Sequence, residues 1–183
     1  MKRTLDQQRI EFSNRKFIAT PLSGLIVWMI IGFVGIFLSD FIAVWSIFIG
    51  TGSIVYLALL LSKYTGENFL DKTKPKNEFD MLFLFIAGQS ILVYSIAIPF
   101  FLIDHTSLPM TAGILTGLMW LPFSWIIKHW VGVFHALTRT ILVLILWYVF
   151  PEHRFITIPF GIVFIYIVTL VILKNKQNSN KEL

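Results

Sequence analysis

The sequence has 183 residues, of which 56% are hydrophobic and 14% are charged, and its net charge is +5. Soluble domains carry about 25% charged residues, so this composition excludes a single water-soluble core. Apolar runs of about 20 residues each span roughly 30 Å as helices, which predicts an all-α membrane protein, a bundle of six transmembrane helices with short loops. The absence of cysteine excludes disulfides, thiolate metal sites and thiol lipidation.

The first 19 residues are polar and are predicted to form a cytoplasmic N-terminal segment. A cleaved signal peptide is not expected, because the first apolar run follows this segment and has no small-residue cleavage site. That run, at about 20–38, begins with Thr20 and Pro21, which are typical of a helix start.

The second and third spans are predicted at about 41–61 and 82–103. Asp40 is suited to cap the second span, and Pro99 is expected to kink the last turns of the third. The polar loop 62–80 between them has four lysines and four acidic residues, so it does not resemble a polybasic lipid-binding segment.

Three further spans are predicted at about 108–127, 130–150 and 155–173, and residues 174–183 form a predicted cytoplasmic tail. Lysine and arginine accumulate on the cytoplasmic side of short loops. With both termini cytoplasmic, the opposite side receives only Arg154, and Arg139 lies within a span. The cytoplasmic side receives Lys2, Arg3, Arg9, Arg15, Lys16, Lys63, Lys72, Lys74, Lys76, Lys128, Lys174, Lys176 and Lys181. Lys74 is therefore predicted to be cytoplasmic, and Asp104 and Glu152 to lie outside.

Two sets of residues are candidates for packing between helices. Gly113 and Gly117 have the spacing at which two membrane helices approach closely, either within the chain or between copies of a homo-oligomer. Gln89 and Tyr94, near the middle of span three, either form interhelical hydrogen bonds or line a ligand cavity.

The outer loops carry four candidate metal ligands, Asp104, His105, Glu152 and His153. Carboxylate and imidazole groups bind divalent metals, but the spacing of these residues defines no coordination geometry. We therefore predict no metal site and no cofactor.

His135 and Arg139 lie one helical turn apart near the middle of span five. On a continuous helix, Lys128 would lie on the same side, although a turn is expected around Lys128 and His129. An arginine at the centre of a span costs about 2.5–3.5 kcal/mol on insertion scales, so Arg139 is expected to face the bundle interior or a wet cavity.

Two interpretations of Arg139 follow. In the structural interpretation, backbone carbonyls, Gln89 or Tyr94 satisfy the guanidinium, or the side chain bends toward the cytoplasm. In the functional interpretation, Arg139, His135 and Lys128 attract an anionic small molecule or lipid head group from the cytoplasm, with Gln89 and Tyr94 completing the site.

The segment from Phe134 to Leu170 resembles the C-terminal half of an uncharacterised bacterial family of multi-pass membrane proteins. His135 and Arg139 match a His-x3-Arg pair of that family, and residues 151–155, "PEHRF", match an outer turn. The resemblance implies a bacterial inner-membrane location and no activity.

Two functional classes remain open from the sequence. The first is a non-enzymatic inner-membrane protein, such as a small transporter or transporter subunit, with the lipid bilayer and an anion as partners and no nucleic acid. The alternative is a membrane-embedded lipid-modifying enzyme, which would need a nucleophile, an acid–base pair or a metal near the bilayer surface.

Overall fold

The computed structural model describes residues 3–69, 71, 73 and 75–179, with Ser179 described by its backbone alone. Nine α-helices and two 3-10 turns make up the regular structure of this part of the chain. Lys2, Lys72, Lys74 and Lys181, which enter the orientation argument, lie outside the described residues. The helices are α1 (Leu5–Ser13), α2 (Ala19–Phe37), α3 (Asp40–Thr65), α4 (Glu78–Leu92), α5 (Tyr94–Ile103), α6 (Leu108–Gly117), α7 (Trp120–Ile126), α8 (Val131–Val149) and α9 (Arg154–Ser179).

Local signals determine where several helices begin and end. Thr4 and Gln7 form a capping box at the start of α1, in which each side chain accepts a hydrogen bond from the other residue's backbone N–H. The side chain of Asn77 accepts from the N–H of Phe79 and caps α4. Gly66 follows α3 with φ of 77°, a left-handed conformation that glycine adopts without a steric penalty.

Five helical segments are long and apolar enough to cross a membrane: 19–37, 40–65, 78–103, 131–149 and 151–178. The third is interrupted at Val93, whose backbone keeps right-handed helical angles between α4 and α5, and Pro99 lies inside α5. The predicted fourth span, 108–127, instead consists of two short helices, α6 and α7, separated at Leu118 and Met119.

Hydrogen bonds gather the polar segments of the chain at two ends of the bundle. At the end that we call the basic end, Arg9 in α1 donates to the carbonyl of Ile126 at 3.2 Å, and Lys176 in α9 donates to the carbonyls of Ser13 and Ile127 at 3.1 and 3.3 Å. Arg15 pairs with Asp80 at the start of α4.

At the opposite end, which we call the turn end, Arg154 links two of the tight connections. It donates to the carbonyl of Trp147 at 3.2 Å and to the hydroxyl of Thr106 at 2.5 Å, and it lies 3.6 Å from Asp104. His105 lies 4.0 Å from Asp40. Five long helical segments and the interrupted pair α6 and α7 lie between the two ends, and we call the third segment, 78–103, the α4–α5 pass.

The core lies where α2, α6, α8 and α9 meet. Trp28, Ile158 and Ile162 are fully buried there, and so are the polar residues His135, Arg139 and Thr169. By contrast, the α4–α5 pass exposes most of its residues, and only 17% of the most apolar stretch of α3 is buried. The candidate site therefore lies in the well-enclosed half of the bundle.

Candidate functional site

Arg139 and His135 are enclosed in the middle of the bundle. Arg139 is the ninth of the 19 residues of α8, and only 1% of its surface is exposed, while none of His135 is exposed. The burial of Arg139 agrees with its predicted inward orientation. Helices α6 and α9 supply the polar groups around them.

Three neutral groups contact the guanidinium of Arg139. One terminal nitrogen donates to the hydroxyl of Thr116 in α6 at 2.9 Å, and the other donates to the hydroxyl of Tyr166 in α9 at 3.2 Å. The second nitrogen also lies 3.4 Å from Nε2 of His135. The buried Nε of Arg139 has no hydrogen-bond partner in the described part of the chain.

The hydroxyl of Thr169 determines which nitrogen of His135 carries a proton. Thr169 donates its single hydroxyl proton to the carbonyl of Ile165 at 2.8 Å, so it accepts a hydrogen bond from Nδ1 of His135, also at 2.8 Å. Nδ1 of a neutral imidazole is then protonated, and the lone pair of Nε2 faces Arg139. The same reasoning applies to Thr116, which donates to the carbonyl of Ala112 at 2.6 Å and accepts from Arg139.

Aromatic rings close the site. Trp120 stacks on the imidazole of His135 with ring centres 4.3 Å apart, and Tyr166 meets it at an angle of 61° with centres 4.8 Å apart. The guanidinium carbon of Arg139 lies 5.4 Å from the ring centre of Trp28 and 5.5 Å from that of Tyr166. These distances allow cation–π attraction, which stabilises a desolvated cation.

The interruption between α6 and α7 lies directly beside Arg139. A Cβ atom built on Gly117, the last residue of α6, would lie 2.9 Å from Cδ of Arg139 and 3.1 Å from its Nε. Glycine therefore allows the arginine side chain to lie against the helix backbone. Because the C-terminal end of a helix carries partial negative charge, α6 also stabilises the cation.

Within the described residues, every ion pair lies at the basic end or the turn end. None of them includes Arg139. Arg139 is therefore a buried cation held by hydroxyls, an imidazole, aromatic rings and a helix end, without a carboxylate.

Three of the five predicted binding residues lie apart from this cluster. Lys128 is exposed, and its φ of 48° places it in a turn between α7 and α8, where a turn was predicted, so its alignment with Arg139 on one continuous helix does not hold. Tyr94 forms a hydrogen bond with Thr51 in α3. Gln89 is exposed on α4 and has no hydrogen-bond partner in the part of the chain that the structure describes.

The two predicted packing glycines both face helices of the same chain. A Cβ atom on Gly113 would lie 3.0 Å from Ile162 in α9 and 3.6 Å from Val143 in α8. Gly117 faces Arg139, as described above. In the structure this face of α6 is therefore an internal packing surface.

The candidate metal ligands do not converge among the described residues, where no group of three or more His, Asp or Glu side chains is close enough to hold a metal ion. Asp104 accepts hydrogen bonds from Thr106, and these bonds, together with Arg154, hold the pKa of its carboxyl below the ordinary value. His105 lies next to Asp40, and Glu152 and His153 are exposed in the turn before α9.

Five residues of the cluster were not predicted from the sequence, namely Trp28, Thr116, Trp120, Tyr166 and Thr169. Tyr166 and Thr169 are spaced three residues apart, so they share one face of α9, and both are polar within an apolar run. That spacing was the available signal. Trp28, Thr116 and Trp120 carry no comparable pattern.

The chain belongs to the family of unknown function DUF7010, whose family model matches residues 5–176. The predicted membership of an uncharacterised family is therefore confirmed. No curated protein and no solved structure matches the chain.

Proposed function

We propose that this chain is a non-enzymatic, multi-pass protein of the bacterial inner membrane that binds a small anion or an anionic lipid head group at Arg139. In this proposal it acts as a small transporter or transporter subunit. The observation that carries the proposal is the buried guanidinium of Arg139, which has no carboxylate beside it among the described residues.

The membrane placement that we propose has six spans and both termini in the cytoplasm. Five long apolar helices support it, together with the passage of the interrupted α6–α7 pair between the two ends. Charge supports the orientation, since Arg154 is the turn end's one lysine or arginine among the described residues. The described basic-end segments contain Arg3, Arg9, Arg15, Lys16, Lys63, Lys76, Lys128, Lys174 and Lys176.

Cysteine labelling in intact cells tests the orientation. Because the sequence has no cysteine, single cysteines can replace Lys74, Asp104 and Glu152 without background. We expect an impermeant maleimide to label positions 104 and 152 and to leave position 74 unlabelled until the cells are permeabilised. Labelling of position 74 with protection of position 104 would reverse the proposed orientation.

The case for an anion rests on the energetic cost of an uncompensated buried charge. Removing a cation from water costs several kcal/mol, and neutral hydroxyls and rings recover only part of that cost. A carboxylate, a phosphate or a phosphate head group would supply the missing negative charge. It would also accept from the forked N–H donors of Arg139, including the unpartnered Nε.

The interrupted pass α6–α7 is the element that we propose moves to admit the anion. Discontinuous helices near the middle of a bundle form binding sites in many transporters, because their ends present backbone groups to the substrate. Here the interruption at Leu118 and Met119 follows Gly117 immediately, and Trp120 just beyond it covers His135. A displacement of α7 would move Trp120 away from the ring of His135, which lies one helical turn from Arg139.

A thermal-shift panel tests the site. The purified protein in detergent is heated with phosphate, short carboxylates and anionic lipids, each against chloride at equal ionic strength. We expect one class of anion to raise the melting temperature of the wild type, since a ligand that binds only the folded state stabilises it. Arg139→Leu should abolish the shift, and Arg139→Lys should leave an intermediate one, because lysine keeps the charge but loses the fork.

Arg154→Leu is the matched control, because it removes an arginine that already has a carboxylate partner. This control should lower the melting temperature and keep the anion-dependent shift. Equal anion responses in the wild type and both Arg139 variants would contradict the proposed site.

Mass spectrometry of ligands retained by the purified protein distinguishes this function from the enzymatic alternative. Retained water-soluble anion would support a binding protein, and a converted lipid would support catalysis.

A further inference from the structure

Regularly spaced side chains lie along an exposed face of the α4–α5 pass, and the rest of the chain does not bury them. Seven residues follow one another at alternating steps of three and four along this helix. We call them the α4–α5 seam: Leu82, Phe85, Gln89, Leu92, Ile96, Pro99 and Ile103.

All seven seam residues are exposed. Phe85 and Leu92 expose 70% and 72% of their surface, and Ile103 exposes 87%. Since Val93 keeps right-handed helical angles, the seam continues along one side of the pass through the interruption. At 1.5 Å per residue it is about 32 Å long, comparable to the thickness of the hydrocarbon core.

Gln89 separates this face from one that simply contacts lipid. The charged residues nearest to it along the chain are Asp80 and Asp104, so the carboxamide lies deep within an apolar run. It has no hydrogen-bond partner among the described residues, and hydrocarbon offers none. Leaving the two N–H donors and the carbonyl of an amide unpaired in lipid is costly.

We infer that the α4–α5 seam is the interface of a homodimer, in which Gln89 of one copy forms hydrogen bonds with Gln89 of the other. A carboxamide both donates and accepts, so it is complementary to itself across a two-fold axis. Two copies with the same orientation in a membrane are related by an axis along the membrane normal, which places their α4–α5 passes in parallel.

A parallel helix pair requires contact positions of this spacing, and Gln89 distinguishes the seam from the other exposed residues of the helix. Alternating steps of three and four are the a and d positions of a left-handed helix pair, and Gln89 occupies an a position. One polar residue at an a position between apolar neighbours fixes the register of parallel helix dimers. The seam carries no charged residue, so nothing in it repels a second copy.

This inference rests on the proposed membrane placement and is independent of the anion site. Disulfide cross-linking in native membranes tests it directly, because the wild type has no cysteine. We expect single cysteines at Phe85, Gln89, Leu92 and Ile96 to form dimers on mild oxidation. Cysteines at Leu84, Ile91 and Ile98, which are also exposed but lie on the other side of the helix, should remain monomeric.

Cross-linking at all seven positions alike, at none of them, or only to a different protein would overturn the homodimer. If maleimide labelling supports the membrane placement and no seam position cross-links, the interface alone fails.

Dilution in liposomes measures the contribution of the carboxamide. With energy transfer between labelled copies as the readout, Gln89→Leu should raise the dissociation constant about three- to twentyfold, as the loss of interhelical hydrogen bonds does in membranes. Gln89→Asn, which keeps an amide, should have a smaller effect. Equal or tighter association of Gln89→Leu would overturn the proposed bond.

Ser95→Ala is the control on the same helix. Ser95 is exposed away from the seam, and its hydroxyl already donates to the carbonyl of Leu92 at 2.7 Å. This substitution should leave the dissociation constant unchanged.

Discussion

The bundle encloses one polar side chain and exposes another, each near the middle of its own long helical segment. Arg139 lies between α6, α8 and α9 with 1% of its surface exposed, whereas Gln89 lies on the outside of α4. The helices differ in the same way, since 44% of the most apolar stretch of the last long helix is buried, against 11% for the α4–α5 pass. The guanidinium of Arg139 forms hydrogen bonds within the chain, whereas the carboxamide of Gln89 has no partner among the described residues.

Two glycines show how the enclosed half of the molecule, formed by α2 and α6 to α9, differs from the open half, formed by α3 and the α4–α5 pass. A Cβ atom on Gly132 would overlap the carbonyl oxygen of Trp120 and lie 2.7 Å from Cβ of Ser124, whereas a Cβ atom on Gly88 would meet nothing within 4 Å. The absence of a side chain at Gly132 therefore allows α7 and α8 to pack closely. At Gly88 it has no such role within one chain.

The substitution that we expect to lower the stability of the folded protein most is Gly132→Ala. The methyl group must displace backbone, so the free energy of unfolding should fall by about 2 kcal/mol or more. Gly88→Ala is the control, and it should be neutral or stabilise the helix by up to about 1 kcal/mol. Thermal unfolding of both variants in mild detergent measures the difference, and similar melting temperatures would contradict the described contrast between the two halves.

Removal of the buried hydroxyl of Thr169 should lower the stability of the folded protein by a smaller amount. Thr169→Val keeps the shape of the side chain but leaves the Nδ1 proton of His135 unpaired in a fully buried position, which should cost about 1–2 kcal/mol. Thr51→Val makes the same change in the open half, where the partner is Tyr94, and should cost about 0.6 kcal/mol. Unfolding measurements that give Thr51→Val the larger cost would reverse the comparison.

The helix positions could be predicted from the sequence because their signals are local. Apolar runs predicted helices at about 20–38, 41–61, 130–150 and 155–173, and the structure has helices at Ala19–Phe37, Asp40–Thr65, Val131–Val149 and Arg154–Ser179. The predicted caps were wrong, since α2 begins after Ile18 rather than at Thr20, and Asp40 is the first residue of α3 rather than its cap. The separation of α6 from α7 could not be predicted in this way. It lies beside Arg139, a residue about 20 positions away along the chain, and Gly117, which precedes it, was interpreted as a packing residue rather than as a helix end.

The orientations of individual side chains were harder to predict than the helices. Lys128 was aligned with Arg139 on one continuous helix even though a turn was predicted around Lys128 and His129, and the turn in the structure shows that this alignment was wrong. Gln89 in α4 and Tyr94 in α5 belong to one pass with apolar residues on every side, so its sequence does not indicate which face points inward. The inward position of Arg139 was predictable, because a charged side chain that faces lipid within a span has a high energetic cost.

Glu67 connects the two halves at the basic end. Its substitution should change the stability of the folded protein less than Gly132→Ala or Thr169→Val. It follows the open helix α3, and its carboxylate accepts from the backbone N–H groups of Ile18 and Ala19 at the start of α2, at 2.9 and 2.8 Å. Burial raises the pKa of the Glu67 carboxyl despite these hydrogen bonds. Its contribution to stability is therefore fully present below the pKa of the unfolded chain, about 4.3, and is lost as the pH rises through the higher folded pKa.

Glu67→Gln tests this link, because the amide keeps an oxygen acceptor for Ile18 and Ala19 but does not ionise. We expect the variant to become more stable relative to the wild type as the pH rises from about 4 to neutrality, because only the wild type must hold a buried carboxylate. Melting temperatures of both proteins across this range measure the difference. Glu78→Gln, which removes an exposed carboxyl at the same end, is the control and should not reproduce the trend. A Glu67→Gln variant that loses stability relative to the wild type as the pH rises would mean that the charge itself, rather than the hydrogen bonds to α2, holds the two halves together.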